Sequence, residues 1–287
     1  MISLPRPVGF VFGGGGSLGA MQVGMLRALL EAGIAADLVV GTSVGSLNGT
    51  LLARHGNASA EPFVRIWASM TRRAVFPGGL LRQARTLHRG RNHLYGNAGL
   101  ARVIAEHVGD DTTFAQLPVP LGVVTMDVDT AQPVLVREGR LVPALLASCA
   151  IPGIYPPVEL DGRTCYDGGV VANVPMTQAV AMGAKSLVVL DCAFPGHLPG
   201  APRSLPDVLM FTAMINMRNQ AVLEAPLVAA DLPVVYLPGP APVRMTPLDF
   251  SHTDTLIEQA YRSAREHLAG LKVDGPGLYG APGKPVS

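Results

Sequence analysis

The chain has 287 residues, 48% of them hydrophobic and 15% charged, with a formal net charge of +1. That balance excludes a disordered or fibrous chain and supplies enough apolar material for a sizeable core, read as a single α/β domain over residues 1–287. A near-neutral total and 5% aromatic content provide neither the basic field nor the stacking rings of a nucleic-acid binder, so no nucleic acid is expected as a partner.

The first dozen residues lack a basic region followed by a long apolar stretch and a small-residue cleavage site, which argues against a secretory signal. Uncharged stretches at 7–26 and 141–158 are interrupted by Gly and Pro, so neither reads as a membrane span, and a cytoplasmic chain is the simplest expectation. Residues 8–12 open a series of apolar runs suited to buried parallel strands, continued at 38–40, 121–126, 186–191 and 234–237. Apolar recurrence at three and four predicts helices at 20–32, 44–53, 100–107 and 253–269. The alternation predicts a three-layer α/β/α architecture around a mainly parallel sheet.

After the first strand comes Gly13-Gly14-Gly15-Gly16-Ser17-Leu18-Gly19, ahead of a helix. Consecutive glycines let backbone N–H groups converge, and the helix adds positive partial charge, so Gly14, Gly15 and Gly16 are candidate donors to an oxyanion. Gly14, Gly16 and Gly19 also fit a dinucleotide fingerprint. That reading wants an acidic residue ending the second strand, whereas Asp37 precedes it, and no Gly-Lys-Ser/Thr follows the glycines. The second strand instead ends in Gly41-Thr42-Ser43-Val44-Gly45, a G-x-S-x-G between strand and helix. In that setting the pattern is a nucleophile elbow: Ser43 is the nucleophile, Gly41 and Gly45 permit the bend, and the Val44 N–H is a further oxyanion donor.

Between residues 62 and 105 stand eight arginines (65, 72, 73, 82, 85, 89, 91, 102) and no Asp or Glu, interleaved with Trp67, Phe76, Leu80, Leu81 and Leu87. Two readings stand side by side: a segment in peripheral contact with an anionic membrane surface, and an arginine-decorated solvated face. Cys149, Cys165 and Cys192 show no metal-ligand spacing and read as reduced core thiols; neither metal nor cofactor is expected. Asp161-Gly162 reads as an ordinary hairpin turn. Asp167-Gly168-Gly169 reads as a tight turn that leaves the carboxylate open, which makes Asp167 the best candidate base. None of the seven histidines sits in a catalytic signature; His252 is the best of them. Residues 195–206 read as a surface loop, and 205–223, with Leu209, Met210, Phe211, Met214, Ile215 and Met217, as a core helix or an acyl-chain groove or lid. Residues 273–287, with four Gly and three Pro, read as a flexible tail.

Taken together, the glycine loop, G-x-S-x-G and the later Asp-Gly-Gly resemble the patatin-like phospholipase family, most strongly over residues 8–192. Ala147-Ser148-Cys149-Ala150-Ile151-Pro152, Asn173-Val174-Pro175 and the region 125–130 add to the likeness. The resemblance implies a Ser43–Asp167 dyad without histidine, acting on lipid acyl esters. Leu18 stands where many members carry Arg or Lys, so a catalytically weak lipid-binding protein on the same fold is the alternative.

Overall fold

The computed structural model describes residues 2–76, 92–192, 202, 204–237, 239 and 249–280, with backbone alone at 205–207 and 210. Its strands are β1 (Val8–Phe12), β2 (Leu38–Thr42), β3 (Leu121–Asp127), β4 (Pro133–Val136), β5 (Val158–Leu160), β6 (Arg163–Asp167), β7 (Ser186–Leu190), β8 (Pro233–Leu237) and β9 (Gly277–Tyr279). They form one sheet in the order β5-β6-β3-β2-β1-β7-β8-β9, with β4 also on β3. The block from β3 through β9 is parallel, while β4 and β6 run antiparallel to β3.

Every residue of β1, β2, β7 and β8 is buried, the condition under which a strand reads as an unbroken apolar run. Their side chains alternate between two cores. Phe10, Val39, Val188 and Val235 join one cluster, and Val11, Val40, Val189 and Val234 the other, the period of two expected of a sheet covered on both faces. This is the predicted three-layer arrangement.

The helices are α1 (Ala20–Glu31), α2 (Val44–His55), α3 (Glu61–Ser69), α4 (Arg72–Val75), α5 (Ala98–Val108), α6 (Leu141–Ser148), α7 (Gly169–Ala172), α8 (Met176–Ala181), α9 (Leu205–Ala229) and α10 (Thr253–Ala269). The four helices expected from periodicity are α1, α2, α5 and α10. α1 and α10 pack so closely that a Cβ at Gly24 would meet the backbone of Ile257 and Tyr261.

Several expectations need correcting. The tail assigned to 273–287 is partly structured: Gly277–Tyr279 adds β9 to β8, and the Tyr279 hydroxyl donates to the Gly275 carbonyl (3.0 Å) while accepting from the Asp274 N–H (2.9 Å). Residues 281–287 lie outside the described residues. In the arginine-rich segment, Arg65, Arg72, Arg73 and Arg102 are exposed, but Trp67 and Phe76 are buried. Trp67 stacks on Phe250, and Phe76 packs on Tyr95 and Tyr155. The interleaved aromatics therefore belong to the core, while Leu80, Leu81, Leu87 and the remaining arginines lie outside the described residues. α9 is not a core helix on all sides: Leu209 and Leu223 are 63% and 70% exposed. Most of the loop expected at 195–206 also lies outside the described residues. Among the described residues no helix is long and apolar enough to cross a membrane.

Candidate active site

The register of β3 creates the site. β3 pairs with β4 through Val123 to Met126, with β2 through Leu121 to Val124, and with β6 from Thr125 to Asp127. A strand has two edges, so β2 and β6 must share the edge opposite β4. They approach from opposite directions and meet there: Thr42 ends β2 against Val124, and Asp167 ends β6 against Thr125. The next residue after Thr42 is Ser43. Two residues 124 positions apart in sequence are thus set side by side.

Ser43 has φ 54° and ψ −129°, a conformation that costs a non-glycine residue on the order of 1–3 kcal/mol and persists only when its surroundings impose it. Three contacts impose it. The Ser43 N–H donates to Ser148 Oγ (2.9 Å), whose hydroxyl donates to the Val124 carbonyl (2.6 Å), and Ser46 Oγ donates to the Ser43 carbonyl (2.6 Å). Gly41 and Gly45 allow the bend, because a Cβ at Gly41 would strike the Gly45 backbone and one at Gly45 the Phe12 carbonyl. The serine is 7% exposed and lies at the N-terminus of α2.

Asp167 is 3% exposed. Burial pushes its carboxyl up from an ordinary 3.8 to about 6, against the opposing pull of the Ser43 hydroxyl and the Gly169 N–H, which favour the charged form. The amide of Gly169 donates to Asp167 Oδ1 at 2.8 Å. At the Gly168-Gly169 pair the turn expected from sequence runs straight on into a helix, with the Val171 N–H donating to the Gly168 carbonyl at 3.0 Å. Gly168 is right-handed helical and leads into α7; glycine is needed there because a Cβ would lie 2.5 Å from the Val124 carbonyl.

Of the expected oxyanion donors, Gly14 has another role: its N–H donates to the Asn173 carbonyl (3.1 Å), and Asn173 Nδ2 donates back to the Gly14 carbonyl (3.4 Å). Asn173, noticed in the sequence only as part of a likeness, thus anchors the glycine loop beside Ser43. Gly15 and Gly16 continue the loop into the turn ahead of α1, Val44 follows the serine, and Gly16, Ser43 and Val44 line a common pocket. Leu18 is buried in the core at 7% exposure.

The pocket, a cavity of about 90 Å³, extends from Ser43 between α2, α3 and α5 over an almost wholly apolar lining that includes Leu47, Ile66, Met70, Ile104 and Phe250. Sequence reading left 205–223 as a core helix or an acyl-chain groove or lid; among the described residues α9 contributes nothing to this cavity. Instead Met217 of α9 sits against Gly169, and Gln220 Nε2 donates to the Val170 carbonyl (2.7 Å), bracing the Asp167 loop. Cys149 also lines the pocket, and burial raises its thiol pKa far above the ordinary value. All three cysteines are free and buried.

The rival candidates have other employment. His252 lies at the surface, 4.0 Å from Asp249. Asp37, the dinucleotide alternative's acid, pairs with Arg6 and accepts from the Val8 N–H at 2.7 Å. Asp161 and Gly162, both left-handed at φ 49° and 77°, form the turn of the β5–β6 hairpin.

Residues 10–180 match the family model described as patatin-like phospholipase. The chain is 34% identical over 188 residues to human patatin-like phospholipase domain-containing protein 6, an overlap of 64% of this chain and 13% of that protein. It is 27% identical over 300 residues to Lysophospholipase nte1 of Aspergillus terreus, covering 94% of this chain and 18% of the relative. The chain therefore spans only a small part of the length of these curated relatives. Among solved structures it is similar to VipD from Legionella pneumophila, with a TM-score of 0.47 and 14% identity over 92% of this chain and 67% of that one.

Proposed function

The chain belongs to the patatin-like phospholipase family, and on that footing we propose that it hydrolyses acyl esters of lipids with Ser43 as nucleophile and Asp167 as base. The observation that carries the proposal is the meeting of β2 and β6 on one edge of β3, which sets a strained serine at the mouth of the apolar pocket beside a buried carboxylate whose pKa has risen to about 6. A base with such a pKa is largely ionised at neutral pH yet a better proton acceptor than an ordinary carboxylate.

Asp167 takes the hydroxyl proton as Ser43 Oγ attacks the ester carbonyl. The tetrahedral oxyanion is received by the amides of Gly15, Gly16 and Val44, each worth roughly 3–4 kcal/mol of transition-state stabilisation where such donors have been removed. The alcohol leaves with the proton, the acyl-enzyme remains on Ser43, and water activated by Asp167 releases the acid. The apolar pocket beside Ser43 takes the acyl chain, which matches the phospholipase and lysophospholipase names of the relatives. Leu18, turned into the core, supplies no cation, so the backbone amides carry the oxyanion.

Labelling with a fluorophosphonate, followed by peptide mapping, tests this reading. Modification at Ser43, absent in Ser43→Ala and slowed at least a hundredfold in Asp167→Asn, is the expected result. A folded wild type that stays unlabelled in the presence of detergent or liposomes would favour the lipid-binding alternative instead.

A further inference from the structure

We infer that Gln22, Asn48 and Trp67 are positioning residues for the oxyanion: a buried chain of hydrogen bonds through their side chains grips both ends of the glycine loop. The inference deepens the acyl-hydrolase reading and rests on it, because it concerns how the amides of Gly15 and Gly16 are kept aimed at the carbon that Ser43 attacks.

The loop from Gly13 to Gly19 is mostly glycine, so it has few side chains of its own with which to fix its shape and much backbone freedom to lose. It is held from outside. Gln22, in the first turn of α1, donates from Nε2 to the Gly13 carbonyl (2.7 Å) and to the Leu190 carbonyl at the end of β7 (3.0 Å). Asn48 of α2 holds the other end of the loop, donating from Nδ2 to the Gly19 carbonyl (3.0 Å) and to Gln22 Oε1 (2.7 Å). Each amide thus orients the other. The outer end of the chain is Trp67 of α3, whose Nε1–H donates to Asn48 Oδ1 at 2.9 Å, and all three side chains are buried.

The chain has a fixed sense. An indole nitrogen only donates and the carbonyls of Leu190, Gly13 and Gly19 only accept, so both amides have a single orientation that pairs their oxygens and both hydrogens. Without the indole N–H, Asn48 Oδ1 would be buried and unpaired, and the amide that holds Gly19 would lose the partner that sets its orientation. Packing leads to the same place. A Cβ on Gly19 would lie 2.6 Å from Val44 Cγ2 and 3.0 Å from Trp67 Cζ2, so both side chains rest on the end of the loop, and the Val44 N–H is itself an oxyanion donor in the proposed mechanism. Trp67 and Asn48 also line the acyl pocket, where the indole stacks on Phe250. Backbone donors accelerate the reaction only when aimed at the position the oxyanion will occupy, so loosening their support costs transition-state stabilisation and spares ground-state binding.

The test is hydrolysis of p-nitrophenyl butyrate by the full chain, its Trp67→Phe variant and its Gln22→Met variant. The first keeps a ring in the wall and loses only the N–H of the chain; the second keeps the length of the side chain and loses every hydrogen bond. In Trp67→Phe kcat should fall about tenfold with KM within about twofold, less than the hundredfold or more that follows deletion of an oxyanion donor itself, and Gln22→Met should fall further. Both half-reactions pass through an oxyanion, so kcat reports the loop whichever step limits. Inhibition by 1,1,1-trifluoropentan-2-one, which adds to Ser43 as a hemiketal whose oxygen occupies the same position, should weaken by the same factor as kcat/KM. The apparent pKa of kcat/KM should stay where the wild type has it, because Asp167 is not moved. A kcat retained within about twofold in Trp67→Phe, or a loss confined to KM with inhibitor affinity unchanged, overturns the inference, and Trp67→Phe decides it alone if Gln22→Met does not fold. The parent reading fails differently: a wild type that neither cleaves the ester nor takes up the ketone sinks the hydrolase and this role with it, whereas an active wild type with undiminished variants sinks this role alone.

Discussion

Burying the Asp167 carboxyl sets the proton affinity it gains against the stability of the fold. The rise from 3.8 to about 6 disfavours the ionised form by about 3 kcal/mol. Below about pH 4 the group is protonated in both folded and unfolded chains and there is no penalty; above about pH 6 it is ionised in both and the folded chain bears the whole of it. Stability owed to this residue therefore falls as pH rises through that window. Asp167→Asn, whose amide oxygen can still accept from Gly169, should stabilise the protein by up to about 3 kcal/mol at pH 7.5 and by almost nothing at pH 4, as read by urea unfolding. Activity should move the other way: the wild-type rate of fluorophosphonate labelling should climb between pH 5 and 7 with an apparent pKa near 6. A flat profile across that range would remove Asp167 as the base.

Helices reveal what periodicity conveys and what it leaves out. The stripes of α5 and α10 were legible because each buries one face, so apolar residues return every three or four positions, whereas α1 and α2 are buried nearly all round. α9 has apolar residues around its whole circumference, and three exposed leucines, Leu209, Leu223 and Leu227, stand against half-buried Met214 and Met217. Its buried side is marked only by the alanines Ala221, Ala225 and Ala229, which do not stand out from the larger apolar residues on its other faces, so the sequence could not tell a core helix from a groove. Close approach is similarly silent. Gly24 in mid-helix reads as a local weakness of about 1 kcal/mol relative to alanine, yet a Cβ there would collide with the backbone of α10 at Ile257. Because backbone cannot rotate out of the way, the collision should win. Gly24→Ala should destabilise the protein by a net of up to about 2 kcal/mol, the overpacking penalty less the helix-propensity gain; a higher urea midpoint would contradict the packing described.

Across the whole molecule, β9 closes one side of the sheet. Without it β8, all of whose residues are buried, becomes an open apolar edge, the kind that pairs with other chains. A chain ending at residue 272 should lose about 2–4 kcal/mol, from the missing ladder bonds, and should aggregate in a concentration-dependent way, measurable by light scattering during urea titration. A truncated chain as stable and as monomeric as the full one would show that β9 only decorates the edge.

What the sequence determined by itself was local. The continuous runs of β1, β2, β3, β7 and β8 announce strands buried on both faces, and the glycine loop and Gly41-Thr42-Ser43-Val44-Gly45 announce their geometry because each follows directly from a strand into a helix. The short, half-exposed β5 and β6 and the three-residue β9 carry no such signature. Tertiary structure alone decided which local features meet: that β6 ends where β2 ends, that Asn173 takes the Gly14 amide, that Trp67 and Phe76 turn inward from an arginine-rich segment, and that α2, α3 and α5 enclose an apolar cavity beside Ser43. Those outcomes depend on strand register and helix packing between residues far apart in the chain, and pairing energies of that kind leave no periodic trace in either partner taken singly.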